Sequence, residues 1–165
     1  MTRLSSKHLQ QFIDRENIRA EILFMDQHTP SVPEAAAALD VEPFQIIKSL
    51  LFRVKEEPIL VISCGLTLID RRKIAKHVQV GRSRIKLVSP EQALIYSGYV
   101  VGSMPPFGHL LKLRTLIDPA VRHVDEVFGG GGDLNTMMRL STLELVRVTS
   151  AEIVDVSVEK SNPDR

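Results

Sequence analysis

Two apolar runs, Ile46-Ile-Lys-Ser-Leu-Leu-Phe-Arg-Val54 and Ile59-Leu-Val-Ile-Ser-Cys64, decide the fold class. Both runs are rich in β-branched and large apolar residues, and the polar connection Lys55-Glu-Glu-Pro58 separates them. Apolar runs of this length with a short polar connection predict the two strands of a hairpin. The second run contains no charge, so we expect that strand to be largely buried.

Helix signals flank the hairpin on both sides. Ser31-Val-Pro-Glu34 has the spacing of a capping box with proline in the first turn, and it predicts an alanine-rich helix to about residue 39. Asp70 can cap a helix that runs to about residue 77, and Ser89-Pro90 opens another that ends at Gly98. Two more helices are predicted after residues 5 and 141. Further strands are predicted over residues 20–25, 85–88, 111–117, 126–128, 137–140 and 151–156.

The order of these elements favours a mixed sheet. Helices and strands interleave, but several connections are too short for the crossover that joins parallel strands. We find no repeat and no linker in the 165 residues. The sequence therefore predicts one α+β domain over residues 1–158, with helices packed on a mixed sheet. Residues 159–165 are predicted to be a frayed tail.

Composition narrows the class of protein. Apolar residues make up 44% of the chain, charged residues make up 25%, and the net charge is +1, as in soluble globular proteins. The single cysteine, Cys64, cannot form an internal disulfide, which indicates a reducing compartment. No apolar run approaches about 18 residues and the N-terminus lacks a secretory core, so we predict a cytoplasmic protein without a membrane span. The five histidines and Cys64 show no metal-ligand spacing, so we expect neither a metal nor a cofactor.

The positive charge of the chain is concentrated in one stretch. Residues 71–86 contain seven lysines and arginines together with His77, and no acid. Such a cluster can form a face that contacts phosphates. It can equally be a solvated helix face followed by an ordinary charged strand. The cations are Arg71, Arg72, Lys73, Lys76, Arg82, Arg84 and Lys86.

A glycine–proline loop, Gly98-Tyr-Val-Val-Gly-Ser-Met-Pro-Pro-Phe-Gly108, is the first candidate for a ligand-binding segment. Glycine allows a ligand to approach the main chain, and proline stiffens the loop. A stiff loop with exposed amides could hold an ester carbonyl or a ribose hydroxyl, and a plain turn between strands is the alternative. His109 and Asp118 could line the same cleft, or lie on the surface.

Two further features extend this candidate site. Lys48 lies in an otherwise almost wholly apolar run, where an ammonium either reaches solvent along its own stem or faces a functional cleft. The four glycines at positions 129–132 could form an anion-binding nest or a flexible hairpin turn. They lack the Gly-Lys-Ser/Thr of a phosphate-binding loop.

Taken in order, these pieces resemble the YbaK/prolyl-tRNA-synthetase-associated editing domain family. The helix Ser31-Val-Pro-Glu-Ala-Ala-Ala-Ala-Leu39 is followed by Ile46-Ile-Lys-Ser-Leu50 and Leu68-Ile-Asp-Arg-Arg-Lys-Ile-Ala75. The glycine–proline loop, Leu116-Ile-Asp118 and the glycine turn come next. The resemblance covers residues 22–156, and it implies a mixed sheet that is partly curled toward a barrel and surrounded by helices.

The resemblance also implies an activity. Members of the family are mostly deacylases that hydrolyse the ester between a wrong amino acid and tRNA, typically tRNA(Pro) carrying alanine or cysteine. We therefore expect a free-standing trans-editing aminoacyl-tRNA deacylase whose partners are aminoacyl-tRNA and a prolyl-tRNA synthetase. One alternative is a non-catalytic module of the same fold that binds tRNA, a synthetase or a nucleotide. Another is a hydrolase of a small ester unrelated to tRNA.

The resemblance assigns roles to individual residues. Lys48 matches the functional lysine of the family, and the amide of Gly102 would stabilise the oxyanion. Phe24 and Phe128 stand where the branch specific for cysteinyl-tRNA tends to have tyrosine and serine. That branch also has an acid near positions 136–138, so this sequence departs from the branch at all three places. The expected substrate-binding residues are Phe24, Ser103, Met104, Pro105, Pro106, Phe107, Gly108, Gly130 and Gly131, and the expected tRNA-binding residues are Arg71, Arg72, Lys73 and Lys76.

Overall fold

The computed structural model describes residues 2–159 of the chain. Within this range, no helix is long and apolar enough to cross a membrane. The helices of the described residues are α1 (Ser6–Arg15), α2 (Val32–Leu39), α3 (Arg71–Val78), α4 (Pro90–Ser97) and α5 (Thr142–Thr149).

Side-chain caps explain where the helices begin. The hydroxyl oxygens of Ser31 and Ser89 accept the amide N–H of the third residue of α2 and α4, at 3.2 and 3.1 Å. The carboxylate of Asp70 accepts the N–H of the second residue of α3 at 2.9 Å. Helix α4 ends at Gly98, which has a left-handed φ of 85°. The predicted starts of these three helices are confirmed.

The strands form three sheets. The strands are β1 (Ala20–Phe24), β2 (Ile47–Val54), β3 (Glu57–Cys64), β4 (Thr67–Ile69), β5 (Ile85–Leu87), β6 (Arg114–Ile117), β7 (Glu126–Gly130), β8 (Thr136–Ser141), β9 (Glu152–Ile153) and β10 (Ser157–Glu159). The central sheet has the order β5-β2-β3-β6-β9, a second has the order β1-β8-β7, and β4 pairs with β10.

The predicted hairpin is the centre of the fold. Strands β2 and β3 pair antiparallel from Ile47 opposite Cys64 to Val54 opposite Glu57. Lys55 makes the turn with a left-handed φ of 57°. Strand β6 then joins β3 in parallel, and β9 joins β6 in parallel, so the predicted mixed sheet is confirmed. Across residues 2–159 the strands remain three sheets and do not close into a barrel.

The central sheet separates two apolar layers. Alternate side chains of the hairpin, including Leu51, Leu60 and Ile62, pack in the larger layer with α1 and α5. The intervening residues, including Phe52 and Ile59, pack in the layer that contains α3. The alternation fixes the side of the sheet on which each residue of β2 lies, including Lys48.

Several predicted boundaries were wrong. Strand β7 continues through Gly130, so Gly129 and Gly130 belong to a strand and not to a turn. The strand predicted over residues 111–117 starts at Arg114, and the one predicted over residues 151–156 covers only residues 152–153.

Strands β4 and β10 were not predicted, because short strands exist through their pairing. The buried carboxylate of Asp118 accepts hydrogen bonds from the Val156 N–H at 3.0 Å and the Ser157 hydroxyl at 2.8 Å, and it fixes the start of β10. That strand runs through Glu159, where the predicted tail would begin. Residues 160–165 of the predicted tail lie outside the described residues.

Candidate active site

A cavity of about 650 Å³ opens beside β2, where the central sheet meets the sheet that contains β7. Lys48, Gly102, Met104 and Gly130 all line it. These residues are far apart in sequence, so the fold brings together Lys48, the glycine–proline loop and the glycine segment that the sequence singled out.

The floor of the cavity is the edge of a strand. Residues 47–51 of β2 line it without a gap. Successive side chains of a strand point to opposite faces of the sheet. Five consecutive residues can therefore line the same cavity only if the cavity lies along the edge of the strand, where the main chain is accessible. Strand β5 pairs with β2 only at Phe52–Val54, and among the described strands residues 48–50 pair with β3 alone. Main-chain polar groups therefore form part of the cavity surface.

Lys48 is half-buried at this edge. It pairs across the ladder with Ser63 and lies on the same face of the sheet as Leu50 and Phe52. The cavity explains why a lysine stands in this apolar run, because a side chain that lines an open cavity is not enclosed by an apolar layer and can keep its charge.

The loop that contains Gly102 is held rigidly from behind. Gly102 itself is exposed and has a left-handed φ of 94°. Ser103 is fully buried, and both its N–H and its hydroxyl donate to the Val100 carbonyl, at 3.1 and 2.8 Å. Pro105, Pro106 and Phe107 are buried. These four residues support the wall of the cavity, and they are not among the residues that line it.

The glycine segment packs directly against this loop. A Cβ atom on Gly130 would lie only 2.2 Å from the Met104 carbonyl oxygen. The N–H of Gly132 donates to the Ser103 carbonyl at 3.0 Å. Gly131 does not line the cavity, and a Cβ there would meet the Thr136 hydroxyl at 2.6 Å. The segment therefore positions the loop, and only Gly130 reaches the cavity.

The first residues of the chain fasten both glycine-containing segments. The Leu4 N–H donates to the Gly98 carbonyl at 2.6 Å, at the start of the loop. The Ser6 N–H donates to the Asp133 carboxylate at 2.9 Å, directly after the glycine segment. The start of α1 therefore ties together the two segments that face the cavity.

His109 braces the far end of the loop and does not line the cavity. Its Nε2 lies 2.8 Å from the Pro105 carbonyl oxygen and donates to it, while the Tyr99 hydroxyl donates to the Gly108 carbonyl at 3.1 Å. Burial lowers the pKa of His109 to about 4, although the bond to Pro105 acts in the opposite direction. The imidazole is therefore neutral at pH 7, and its role is structural.

We expect His109 to make the fold sensitive to acid. Its pKa is about 4 when folded against 6.5 for the free side chain, so the unfolded chain binds the proton first as the pH falls. The stabilisation is complete above pH 6.5 and is lost toward pH 4, by at most about 3 kcal/mol. In His109→Gln, whose amide can still donate to Pro105, thermal unfolding should shift less over this pH range. Parallel curves for the two proteins would contradict the assignment.

Two aromatic positions lie outside the cavity. Phe24 is 72% exposed at the end of β1 and is not among the lining residues. Phe128 is buried against Ile46 and α2. Met137, from β8, lines the cavity. The Gly108 main chain lies at the back of the loop, against Leu9 and Phe12.

The basic residues of α3 lie on the same face of the sheet as Lys48. The guanidinium of Arg71 lies 5.9 Å from the ring centre of Phe52. Phe52 is four residues from Lys48 along β2, which corresponds to a distance of about 13 Å. Arg72 pairs with Asp70 at 3.4 Å, and Lys76 is exposed. Lys73 is already engaged by Asp155 at 2.9 Å and by the Ser157 carbonyl at 2.8 Å. The cations of α3 that are better able to bind an external phosphate are therefore Arg71, Arg72 and Lys76.

Several residues that line the cavity were not predicted from the sequence. Thr29, Pro30, Ser31 and Val32 bring the start of α2 to the cavity. Gly65 makes this possible, because a Cβ there would meet a methyl group of Val32 at 2.4 Å. The cap at Ser31 was recognisable, but its proximity to Gly65 is a tertiary contact that no local pattern indicates. Ser49 was missed for the same reason.

Cys64 does not supply a nucleophile. It is buried in the core, where burial and, to a lesser extent, the charge of Asp118 raise the pKa of its thiol. A thiol held protonated in an apolar layer is unreactive.

Comparison with known proteins identifies relatives of the chain. Residues 26–148 match the model of the aminoacyl-tRNA editing domain family. The proline--tRNA ligase of Streptococcus equi subsp. equi (strain 4047) is 29% identical over 82% of this chain, which corresponds to 22% of that protein. The multifunctional Ser/Thr-tRNA deacylase ProXp-y of Escherichia coli (strain K12) is 29% identical over 66% of each chain.

The fold is also found in a solved structure. The crystal structure of a candidate trans-editing enzyme for prolyl tRNA synthetase superposes with a TM-score of 0.87 at 25% sequence identity. The superposition covers 93% of this chain and 96% of that one, so the two proteins share the whole arrangement of helices and sheets.

Proposed function

The chain belongs to the aminoacyl-tRNA editing domain family, and we propose that it is a free-standing deacylase that hydrolyses mischarged tRNA. The observation that carries the proposal is that Lys48, Gly102 and Gly130 line one cavity. The similarity to a candidate trans-editing enzyme for prolyl tRNA synthetase supports a deacylase that acts in trans. Such an enzyme acts where tRNA is charged, so we expect it in the cytoplasm, with prolyl-tRNA synthetase as the enzyme whose errors it corrects.

The proposed reaction is ester hydrolysis without a protein nucleophile. Water adds to the ester carbonyl carbon, the bond from that carbon to the ribose oxygen breaks, and the ribose oxygen takes up a proton. The amide of Gly102 stabilises the negative charge that develops on the carbonyl oxygen. The Ser103 amide is already bonded to Val100 and is not available for this role. Lys48 anchors the terminal nucleotide or the carbonyl, so that the reacting groups are held together.

The walls of the cavity suit a small amino acid. Val32 and Met104 are apolar, and the loop behind Met104 is braced by buried residues, so a larger side chain is excluded by contact. We propose tRNA(Pro) carrying a small wrong amino acid such as alanine or cysteine as substrate. The name of the Escherichia coli relative adds serine and threonine to the residues to be tested.

A panel of charged tRNAs tests the function. We expect the wild-type protein to hydrolyse tRNA(Pro) carrying at least one of alanine, cysteine, serine and threonine at least 10-fold faster than the spontaneous reaction. Prolyl-tRNA(Pro) should remain stable. If the protein binds tRNA but hydrolyses none of these esters, it is instead a non-catalytic tRNA-binding module.

We expect Arg71 to contact the tRNA backbone. Because Arg71 lies on the face of Lys48, Arg71→Gln should weaken tRNA binding for every tRNA tested and reduce the slope of log affinity against log salt by about one. Lys7→Ala, an exposed lysine on α1, serves as the matched control and should leave the slope unchanged. Equal slopes for Arg71→Gln and the wild type would place the tRNA elsewhere.

A further inference from the structure

Among the described strands, none pairs with the edge of β2 at Ser49 on the side away from β3. The main chain of Ser49 could bind the aminoacyl group there. Resting on the proposed function, we propose that the N–H and C=O of Ser49 bind the aminoacyl ester as one strand residue binds another. The ester would extend the central sheet by a single residue at the floor of the cavity. The recognised class of ligand is an ester with a free α-amino group.

Hydrogen bonds on both sides of β2 fix the direction of the Ser49 main chain. The Val88 N–H donates to the Leu51 carbonyl at 3.1 Å, so the main chain of Leu51 faces away from β3. On the other side, the Gly65 N–H donates to the Ile46 carbonyl at 2.8 Å. Main-chain groups of residues two apart point the same way along a strand. Ser49 therefore turns both its N–H and its C=O toward the free edge, where it lines the cavity.

The chemistry of the ester matches this pair of groups. Directly opposed residues of an antiparallel ladder can exchange two N–H···O=C bonds. An aminoacyl ester carries an ammonium donor and a carbonyl acceptor on the same Cα, as a strand residue does. The α-ammonium donates to the Ser49 carbonyl, and the Ser49 N–H donates to the ester carbonyl. That second bond draws electron density from the carbon that water attacks.

The antiparallel direction has two consequences for the cavity. The ester oxygen and the ribose lie beside Lys48, where the proposed function requires them. The amino-acid side chain lies on the same face as the Ser49 side chain, because opposed residues of a ladder share a face. This is the face of Ile47 and Leu51, which belong to the apolar layer against which Met104 packs. Met104 is therefore in position to limit the size of the amino acid.

Modified substrates test the proposal on the unaltered protein. We take the aminoacyl-tRNA that the wild type hydrolyses fastest, its N-acetyl derivative, and the α-hydroxyacyl-tRNA obtained by deamination. The N-acetyl ester should lose about 10-fold in kcat/KM, because its amide N–H still donates but carries no charge. The α-hydroxyacyl ester should lose about 10-fold, because a hydroxyl still donates but carries no charge. If both derivatives are hydrolysed within threefold of the rate of the parent ester, the binding by Ser49 is wrong, although the protein is still a deacylase.

Proline at position 49 tests the N–H directly. Proline is tolerated where the missing N–H would face away from the ladder, so Ser49→Pro should keep the β2–β3 pairing and its Tm within a few degrees. Its kcat/KM should fall at least 30-fold below that of Ser49→Ala, which retains the N–H. Equal activity of the two variants would overturn the proposal. If Ser49→Pro does not fold, the modified substrates decide alone, and a wild type inactive on every ester removes both proposals.

Discussion

Alanine at position 130 is expected to lower kcat/KM for deacylation at least 100-fold in a protein that still folds. The added Cβ would lie 2.2 Å from the Met104 carbonyl oxygen and 2.9 Å from that of Ser103. An ordinary van der Waals contact of a Cβ atom is more than an ångström longer than the distance to the Met104 oxygen. The loop that contains Met104 must therefore move away from β7. A displacement of about 1 Å in a reacting group can cost about 100-fold in rate.

The neighbouring glycine supplies the control for this variant. A Cβ on Gly129 would meet the Ile47 side chain at 3.2 and 3.3 Å, which that side chain can accommodate, and Pro106 of the loop at an ordinary contact distance of 3.8 Å. Gly129→Ala should therefore retain activity within a few-fold. Overpacking at Gly130 costs roughly 1–3 kcal/mol, which lowers Tm by no more than about 12 °C. Activity of Gly130→Ala close to that of Gly129→Ala would show that the loop position does not matter.

Replacing Lys48 by alanine should have an effect of similar size for a different reason. The loop stays in place, but the ammonium that lines the cavity is lost. Removing one charged contact that is made in the transition state typically costs about 100-fold or more in kcat. Deacylation by Lys48→Ala should fall at least 100-fold at saturating tRNA, with unchanged Tm.

Two further variants separate charge from other effects at this position. Lys48→Met keeps most of the apolar stem, so it should be as inactive as Lys48→Ala if the charge is what matters. Lys112→Ala removes an exposed lysine before β6 and should behave as the wild type. Equal rates for Lys48→Ala and the wild type would remove Lys48 from the mechanism.

The parts of the fold that local chemistry determines were predictable. The apolar runs on either side of Lys55 gave the central hairpin, and Ser31, Asp70 and Ser89 gave the helix starts, because caps and turns act over three or four residues. Strands β4 and β10 were not predictable, since neither has a signal apart from the other.

The candidate site was predictable only in part. Lys48 and Gly102 were found because an ammonium in an apolar run and a glycine–proline loop are unusual at the level of sequence, and the order of the motifs resembled a family. Ser103, the two prolines and Phe107 were expected to touch substrate, but they lie buried behind the wall. A sequence does not indicate which side of a loop faces the ligand. The role of Ser49 depends on where β5 stops pairing, which is a property of the sheet.

The composition of the cavity surface has an evolutionary consequence. The edge of β2 presents main-chain groups to the cavity, whereas Val32 and Met104 line its walls as apolar residues. Mutation exchanges side chains readily but leaves main-chain groups in place. If the ester binds to β2 as proposed, substitutions in the walls can redirect the protein from one amino acid to another while the ester keeps its place on the strand. A single scaffold can diversify in this way into a set of proofreading proteins with different targets.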